Sequence, residues 1–288
     1  MPRPPDWLKR RLVPAYNAVV HRGRDLRATL GAIARGDVSR CDCCGKLAAM
    51  RLRPRSIPPR LVELWGLSPR VAAALVRKET LDCSACGAKL RARRLARAVV
   101  DLLPIPGVRD LATWSRHPSR QGLRIAELNR IDGVHEAIAG MPGLASSDFH
   151  DNVEPGSYVA GVRHEDLSAL TYADGSFDLV LTSETLEHVP DLGRALAEIR
   201  RVLVPGGYHA FTIPVIPRVR FTHLRPRDRP IAHPGGDWGY PVVTEFGADA
   251  VEVVRRAGFE VEVRFGPTTE DDLAQVYLAR KPVGEGGP

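Results

Sequence analysis

Apolar residues recur along this chain with different periods, and the changes of period mark its elements. Phe177 to Leu181 (FDLVL) is a short apolar run preceded by Gly175 and Ser176, the pattern of a strand buried on both faces. Residues 191 to 203 then place apolar side chains at 192, 195, 196, 199, 202 and 203, which is helical spacing. Pro205-Gly206-Gly207 stops that helix and predicts a second strand from His209 to Val215. A strand, crossover helix and strand of this length form the unit of a parallel sheet. Ligands of such sheets sit beyond the carboxyl ends of the strands, here at Thr182-Ser183-Glu184. Upstream, residues 122 to 128 and 144 to 149 read as further strands, with Glu127 and Asp148 near their carboxyl ends. Downstream, 251 to 257 is helical, and 259 to 265 and 275 to 280 alternate as strands do.

The front of the chain is patterned differently. Residues 5 to 35 carry apolar positions 8, 12, 16, 19 and 20 near one helical face, interrupted or begun at Pro14. Residues 51 to 59, with prolines at 54, 58 and 59, predict an extended connection. Ser68-Pro69 joins an N-cap hydroxyl to a proline at the first helical position, so a helix is expected over 70–78. Lys89 to Leu103 is a basic amphipathic helix with Leu90, Leu95, Val99 and Leu102 as its stripe, ended before Pro104.

Composition changes the picture mainly through charge. The 288 residues are 44% hydrophobic and 26% charged, ordinary for a globular chain with a full core. No apolar run approaches the roughly 20 residues a membrane span needs. Met1 to Arg11 is basic but no apolar stretch follows, so no secretory signal is read and a cytoplasmic location is expected. The net charge of +7 hides an asymmetry: residues 1–120 hold 25 Lys/Arg against 9 Asp/Glu, and the rest hold 16 against 25. A basic front third suits an anionic partner such as nucleic acid, a phosphorylated sugar or a membrane surface, and it equally suits a solubilising coat.

All five cysteines lie in that basic third. Cys41-Asp-Cys43-Cys44-Gly and Cys83-Ser-Ala-Cys86-Gly each place two thiols three positions apart and follow the second with glycine. Two such knuckles in a chain without a secretory signal point to four thiolates around a structural zinc: Cys41, Cys44, Cys83 and Cys86. Cys43 is the spare, able to replace Cys41 or to stay unbound. The 38 residues between the knuckles exceed the usual ribbon spacing, so a helix near 69–79 is expected between them.

The run DGSFDLVLTSETLEHVPDLGRALAEIRRVLVPGG, residues 174–207, resembles the fourth strand, following helix and fifth strand of class I S-adenosylmethionine-dependent methyltransferases of the quinone-methyltransferase-like (type 11) group. The resemblance extends over about residues 121–283, and the knuckle running into an Arg-rich helix resembles the N-terminal zinc ribbon of some bacterial methyltransferases of cell-surface sugar and natural-product pathways. It implies an α/β fold: a Rossmann-like seven-stranded methyltransferase domain over 111–283, a smaller N-terminal helical and zinc-ribbon domain over 1–110, and a disordered tail at 284–288. It also implies S-adenosylmethionine as cofactor. Residues at the family's cofactor positions are Glu127, Asn129, Gly133, Asp148, Phe149, Asp166, Leu167 and Ser183. The loop after the first strand, Asn129 to His135, departs from the family's glycine-rich pattern in keeping one glycine, Gly133.

For a general base the expectation falls on His188, His233 and Glu245, with His223 also considered. The proline-rich stretch 216–244 reads as a lid with Arg218, Arg220, Arg225, Arg227 and Arg229 available to an anion. The acceptor implied is a small molecule, anionic in one reading, and the front domain reads as a structural clip. An RNA methyltransferase and a non-enzymatic protein of the same fold are the rivals.

Overall fold

In the computed structural model, residues 26–53, 57, 59–216, 218–225, 231–232, 241–265 and 273–284 are described. Residues 5–25 of the first predicted helix therefore lie outside it, and 26–34 form helix α1. A small antiparallel sheet follows, of β1 (Val38–Arg40), β2 (Leu47–Leu52) and, later in the chain, β3 (Leu81–Cys83), in the order β1-β2-β3. Between β2 and β3 come α2 (Pro59–Leu64) and α3 (Pro69–Thr80). The α3 helix is the insertion expected between the knuckles, and its start is capped as expected: Ser68 Oγ accepts the Val71 amide at 3.3 Å. The predicted extended connection, 51–59, begins with the last two residues of strand β2 and ends on Pro59, the first residue of α2, and its residues 54–56 and 58 lie outside the described residues.

The α4 helix (Leu90–Leu102) leads through α5 (Leu111–Arg116) into the large sheet. Its elements in chain order are β4 (Ile125–Leu128), α6 (Val134–Ile138), β5 (Leu144–Asp148), β6 (Tyr158–Val159), β7 (Val162–His164), β8 (Phe177–Ser183), α7 (Leu192–Val202) and β9 (Leu203–Thr212). Two short ladders pair β10 (His223–Leu224) with β13 (Thr244–Glu245) and β11 (Ile231–Ala232) with β12 (Pro241–Val242). Helix α8 (Ala250–Arg256) and strands β14 (Glu260–Arg264) and β15 (Val276–Arg280) complete the chain. The β9 strand begins at Leu203, six residues before the expected start, because Pro205-Gly206-Gly207 joins the sheet through a register shift opposite Phe177 and Leu179.

The large sheet has the order β14-β15-β9-β8-β4-β5-β7-β6. Strands β9, β8, β4, β5 and β7 are parallel, whereas β14, β15 and β6 pair antiparallel. Chain order runs outward from β4 through β5 to β7, then returns to β8 on β4's other side. That reversal between β4 and β8 is a topological switch point, where crevices open beyond the carboxyl ends.

Strand β8 is apolar on both faces, as its pattern predicts. Leu179 and Leu181 join one core with Leu95 and Val99 of α4, and Val180 joins another with Ile199 of α7 and Val254 of α8. Each such buried side chain contributes about 1.5–3 kcal/mol over leaving it exposed. The Arg-rich α4 is thus a covering layer of the sheet: Ala92, Leu95 and Ala96 are fully buried against it.

Candidate functional site

Four of the five thiols converge. The Sγ atoms of Cys41, Cys44, Cys83 and Cys86 all lie within 4.8 Å of one another, and Cys41 and Cys86 are 3.7 Å apart. A tetrahedral zinc with Zn–S bonds of about 2.3 Å requires sulfurs roughly 3.8 Å apart, so the set fits the ion. The two knuckles close alike: the Gly45 amide donates to the Cys41 carbonyl at 2.9 Å and the Gly87 amide to the Cys83 carbonyl at 2.8 Å. Both glycines have φ above +70°, which their turns require. Cys43 points elsewhere and donates its thiol to the Ala92 carbonyl at 3.6 Å.

At the carboxyl edge of the large sheet, the side chains expected at the cofactor are held by their own surroundings. Glu127 is fully buried; it accepts the Ile131 amide at 3.0 Å and the Ser146 hydroxyl at 2.9 Å, and meets His135 Nδ1 at 2.6 Å. Glu127 therefore folds the 129–133 loop back on its strand. Asn129 adopts a φ of 67°, a conformation that favours glycine, and its side-chain oxygen accepts the Phe149 amide at 2.9 Å. Asp148 stands at the end of β5 and accepts the Arg130 amide and guanidinium at 2.7–3.0 Å. Burial alone would raise its pKa, but these bonds and the Arg130 charge hold it below the usual carboxylate range. Asp166 caps the Ser168 amide at 2.7 Å, and Leu167 is a core residue at 4% exposure. Ser183 shares a 2.8 Å hydrogen bond with Thr212.

The front of the chain reaches this edge directly, which its sequence did not disclose. Lys78 of α3 is 1% exposed and donates to Glu184 at 2.7 Å and to the Ile213 carbonyl at 3.2 Å. Arg91 of α4 donates to Ser183 at 2.7 Å and to Glu79 at 3.1 Å. Burial would raise the Glu79 pKa, but Arg91, Lys78 and Lys89 together pull it down to about 2. Arg93 is also buried, and Arg94 donates to the Ala274 carbonyl at 3.1 Å. These four basic side chains are therefore not part of a solvated coat. A signal for Lys78 did exist: with Val71 and Ala74 it occupies i, i+3 and i+7, a stripe helical spacing reserves for apolar groups.

The segment after β8 carries two buried acids. Glu184 has a φ of 51°, unusual for a residue with a side chain, and its Oε1 is buried with no hydrogen-bond partner among the described residues. Glu187 is fully buried, and desolvation together with the Glu184 charge pushes its pKa well up, so it keeps a proton beyond the ordinary carboxylate range.

The expected bases are placed differently. His188 donates from Nδ1 to the Pro241 carbonyl at 3.0 Å, and burial lowers its pKa. Glu245 is buried among Trp65, which donates at 2.6 Å, Arg225, and His223, whose Nε2 is 3.2 Å away. His233 lies outside the described residues, as do Arg227 and Arg229 of the predicted lid. Among the described residues no helix is long and apolar enough to cross a membrane.

An open α/β sheet of this strand order, with acids along its carboxyl edge on both sides of the switch point, defines a Rossmann-like class of nucleotide-binding fold. Residues 130–211 match the family model described as a methyltransferase domain. A probable S-adenosylmethionine-dependent methyltransferase of Mycolicibacterium smegmatis is 33% identical over 117 residues, 40% of this chain and 41% of that protein. An uncharacterised 37.1 kDa protein in transposon TN4556 of Streptomyces fradiae is 52% identical over 42 residues, 15% of this chain and 12% of that protein. The chain thus spans less than half the length of these curated relatives. A methyltransferase structure from Mesorhizobium loti, S-adenosylmethionine-dependent by its description, is 24% identical, covers 59% of this chain and 98% of its own, and superposes with a TM-score of 0.38. Residues 130–211 are thus similar to a methyltransferase domain, and the chain to S-adenosylmethionine-dependent methyltransferases.

Proposed function

We propose that this chain transfers a methyl group from S-adenosylmethionine to a small-molecule acceptor, and that its four clustered thiols hold a structural zinc. The observation that carries the reading is the carboxyl edge: Asp148 ends β5, Asp166 follows β7 and Ser183 ends β8, on both sides of the switch point. S-adenosylmethionine, when bound, supplies an electrophilic methyl group on a sulfonium. The chain's own residues bind, orient and manage the proton. Asp148, now paired with the exposed Arg130 guanidinium, would hold the ribose hydroxyls. Asp166 and Phe149 would serve the adenine side, and Ser183 the side of the transferred group. Alignment of acceptor and donor supplies most of the rate enhancement in such a displacement.

Where the acceptor is a hydroxyl, Glu184 takes its proton, because its Oε1 is a buried acceptor without a partner among the described residues. His188 and Glu245 suit that role less, being bonded to Pro241 and to Trp65 and Arg225. An acceptor of sugar, glycan-precursor or natural-product type fits this reading better than RNA. Arg51 and Arg93 of the basic front are buried and Arg91 is half-buried, with Arg51 bonded to Asp82 and Arg91 to Glu79, so these three do not form an outward phosphate track.

Titration calorimetry with S-adenosylhomocysteine, the demethylated product, tests the reading. Micromolar-range binding is expected, and Asp148→Ala should weaken it about tenfold to a hundredfold, the effect of losing charged hydrogen bonds worth roughly 1.5–3 kcal/mol. No binding at millimolar ligand by the zinc-loaded chain would leave the non-enzymatic rival standing.

A further inference from the structure

We propose that the second cysteine knuckle, Cys83 to Lys89, is a positioning element of the cofactor site. In this arrangement it holds the loop after β4 in its ligand-ready shape, and cofactor affinity depends on the neighbouring metal centre. The inference rests on the S-adenosylmethionine reading above.

The carrying contact is at Gly133. This single glycine of the loop has a φ of 73°, and a methyl group built on it would lie 2.5 Å from Ala88 Cβ and 3.1 Å from Ala88 Cα. In dinucleotide-binding loops a glycine makes room for the ligand's approach. Here the room is filled by the knuckle: Ala88 is fully buried, and its carbonyl accepts the Cys83 amide at 3.0 Å, closing the metal-binding turn. With the Ala88 methyl in place, no side chain other than hydrogen fits at 133.

Two further contacts tie the loop to the metal centre. Ile131 and Val134 are buried in the same apolar core as Cys41, Cys43, Cys83 and Ala88. Lys89, directly after Ala88, pairs with Asp132 at 3.1 Å. Glu127 anchors the loop from the opposite side through the Ile131 amide. The first knuckle is fastened too: its Asp42 and Cys43 carbonyls accept the Leu111 and Ala112 amides at 2.8 and 2.9 Å. With both knuckles bonded to the body that carries β4, a change in the zinc site moves one wall of the loop. The departure from a glycine-rich loop follows naturally, since a loop clamped between Glu127 and Ala88 needs few residues of special conformation.

The test uses the full-length, zinc-loaded chain and two readouts, hydrogen exchange over residues 129–135 and calorimetric binding of S-adenosylhomocysteine. Gly133→Ala should keep its zinc, exchange faster in the loop and bind about tenfold or more weakly. Adding Ala88→Gly removes the closest atom it meets, and the double variant should recover part of both losses, the left-handed φ at 133 keeping the remainder. Should Gly133→Ala not fold, the exposed pair serves instead. Lys89→Glu should weaken binding by a few-fold, about the worth of an exposed pair, and Lys89→Glu with Asp132→Lys should restore it. Wild-type binding combined with no recovery in either double variant overturns the inference alone. A wild-type chain that binds no S-adenosylhomocysteine at millimolar concentration overturns the cofactor reading and this inference with it.

Discussion

The two strands that flank the switch point end in segments held in opposite ways. The loop after β4 is positioned by close packing: Gly133 against Ala88, Ile131 and Val134 in a dry core, and an ion pair, Lys89–Asp132, whose side chains are 34% and 54% exposed. The segment after β8 is positioned by buried charge: Lys78 at 1% side-chain exposure meets Glu184 at 8%, with Glu187 keeping its proton close by. Packing tolerates small polar changes at its rim but not a change of shape. Buried charge tolerates shape better than the removal of a partner, because an ion left alone without water is costly. The front of the chain supplies the holding groups to both.

That contrast can be sharpened from its largest effect downward. Removing zinc should loosen the packed side first. Structural zinc contributes an apparent 10–16 kcal/mol or so in small zinc domains. Chelation should therefore abolish cooperative folding of the front segment and raise exchange across 129–135, and elemental analysis should find one zinc per chain. Cys83→Ser should lose the metal, while Cys43→Ser should keep it, because the Cys43 thiol is bonded to Ala92.

Next comes the charged side. Lys78→Ala leaves Glu184 without its partner and should cost about 3–5 kcal/mol in urea unfolding. Lys78→Ala with Glu184→Gln should recover part of that loss; equal losses in the single and double variants would break the contrast.

Acid probes the ground beneath the same segment. His209 is fully buried, shares a 2.9 Å hydrogen bond with Thr182, and is held neutral by desolvation, with its pKa lowered from 6.5 to about 3. Between those values the unfolded chain binds the proton and the native chain does not. Stability should therefore fall as pH drops from about 6.5 towards 3, by an amount on the order of a few kcal/mol, and this contribution should be constant above 6.5. Chemical denaturation across that range, compared with His209→Gln, isolates the effect; an unchanged slope in the variant would assign it elsewhere.

The smallest change is expected at Lys89→Ala. An exposed pair is worth about 0–1 kcal/mol, so unfolding stability should stay within that margin.

Much of this was legible in the chain because local rules decided it. The both-face burial of Phe177 to Leu181, the cap at Ser68, the helical spacing from 192 to 202 and the paired knuckles each follow from a few neighbouring residues. The positive φ at Asn129 is likewise a property of that residue type in a tight loop. What neighbours in sequence cannot specify is which distant groups share a buried volume. Glu127 as the anchor of its own loop, Arg130 on Asp148, Lys78 under Glu184 and Ala88 against Gly133 are outcomes of packing α3, α4 and the second knuckle onto the sheet. A basic amphipathic helix reads alike whether its polar face meets water or the carboxyl end of a strand. Hydrophobic periodicity reports that a face is buried, and only the fold determines against what.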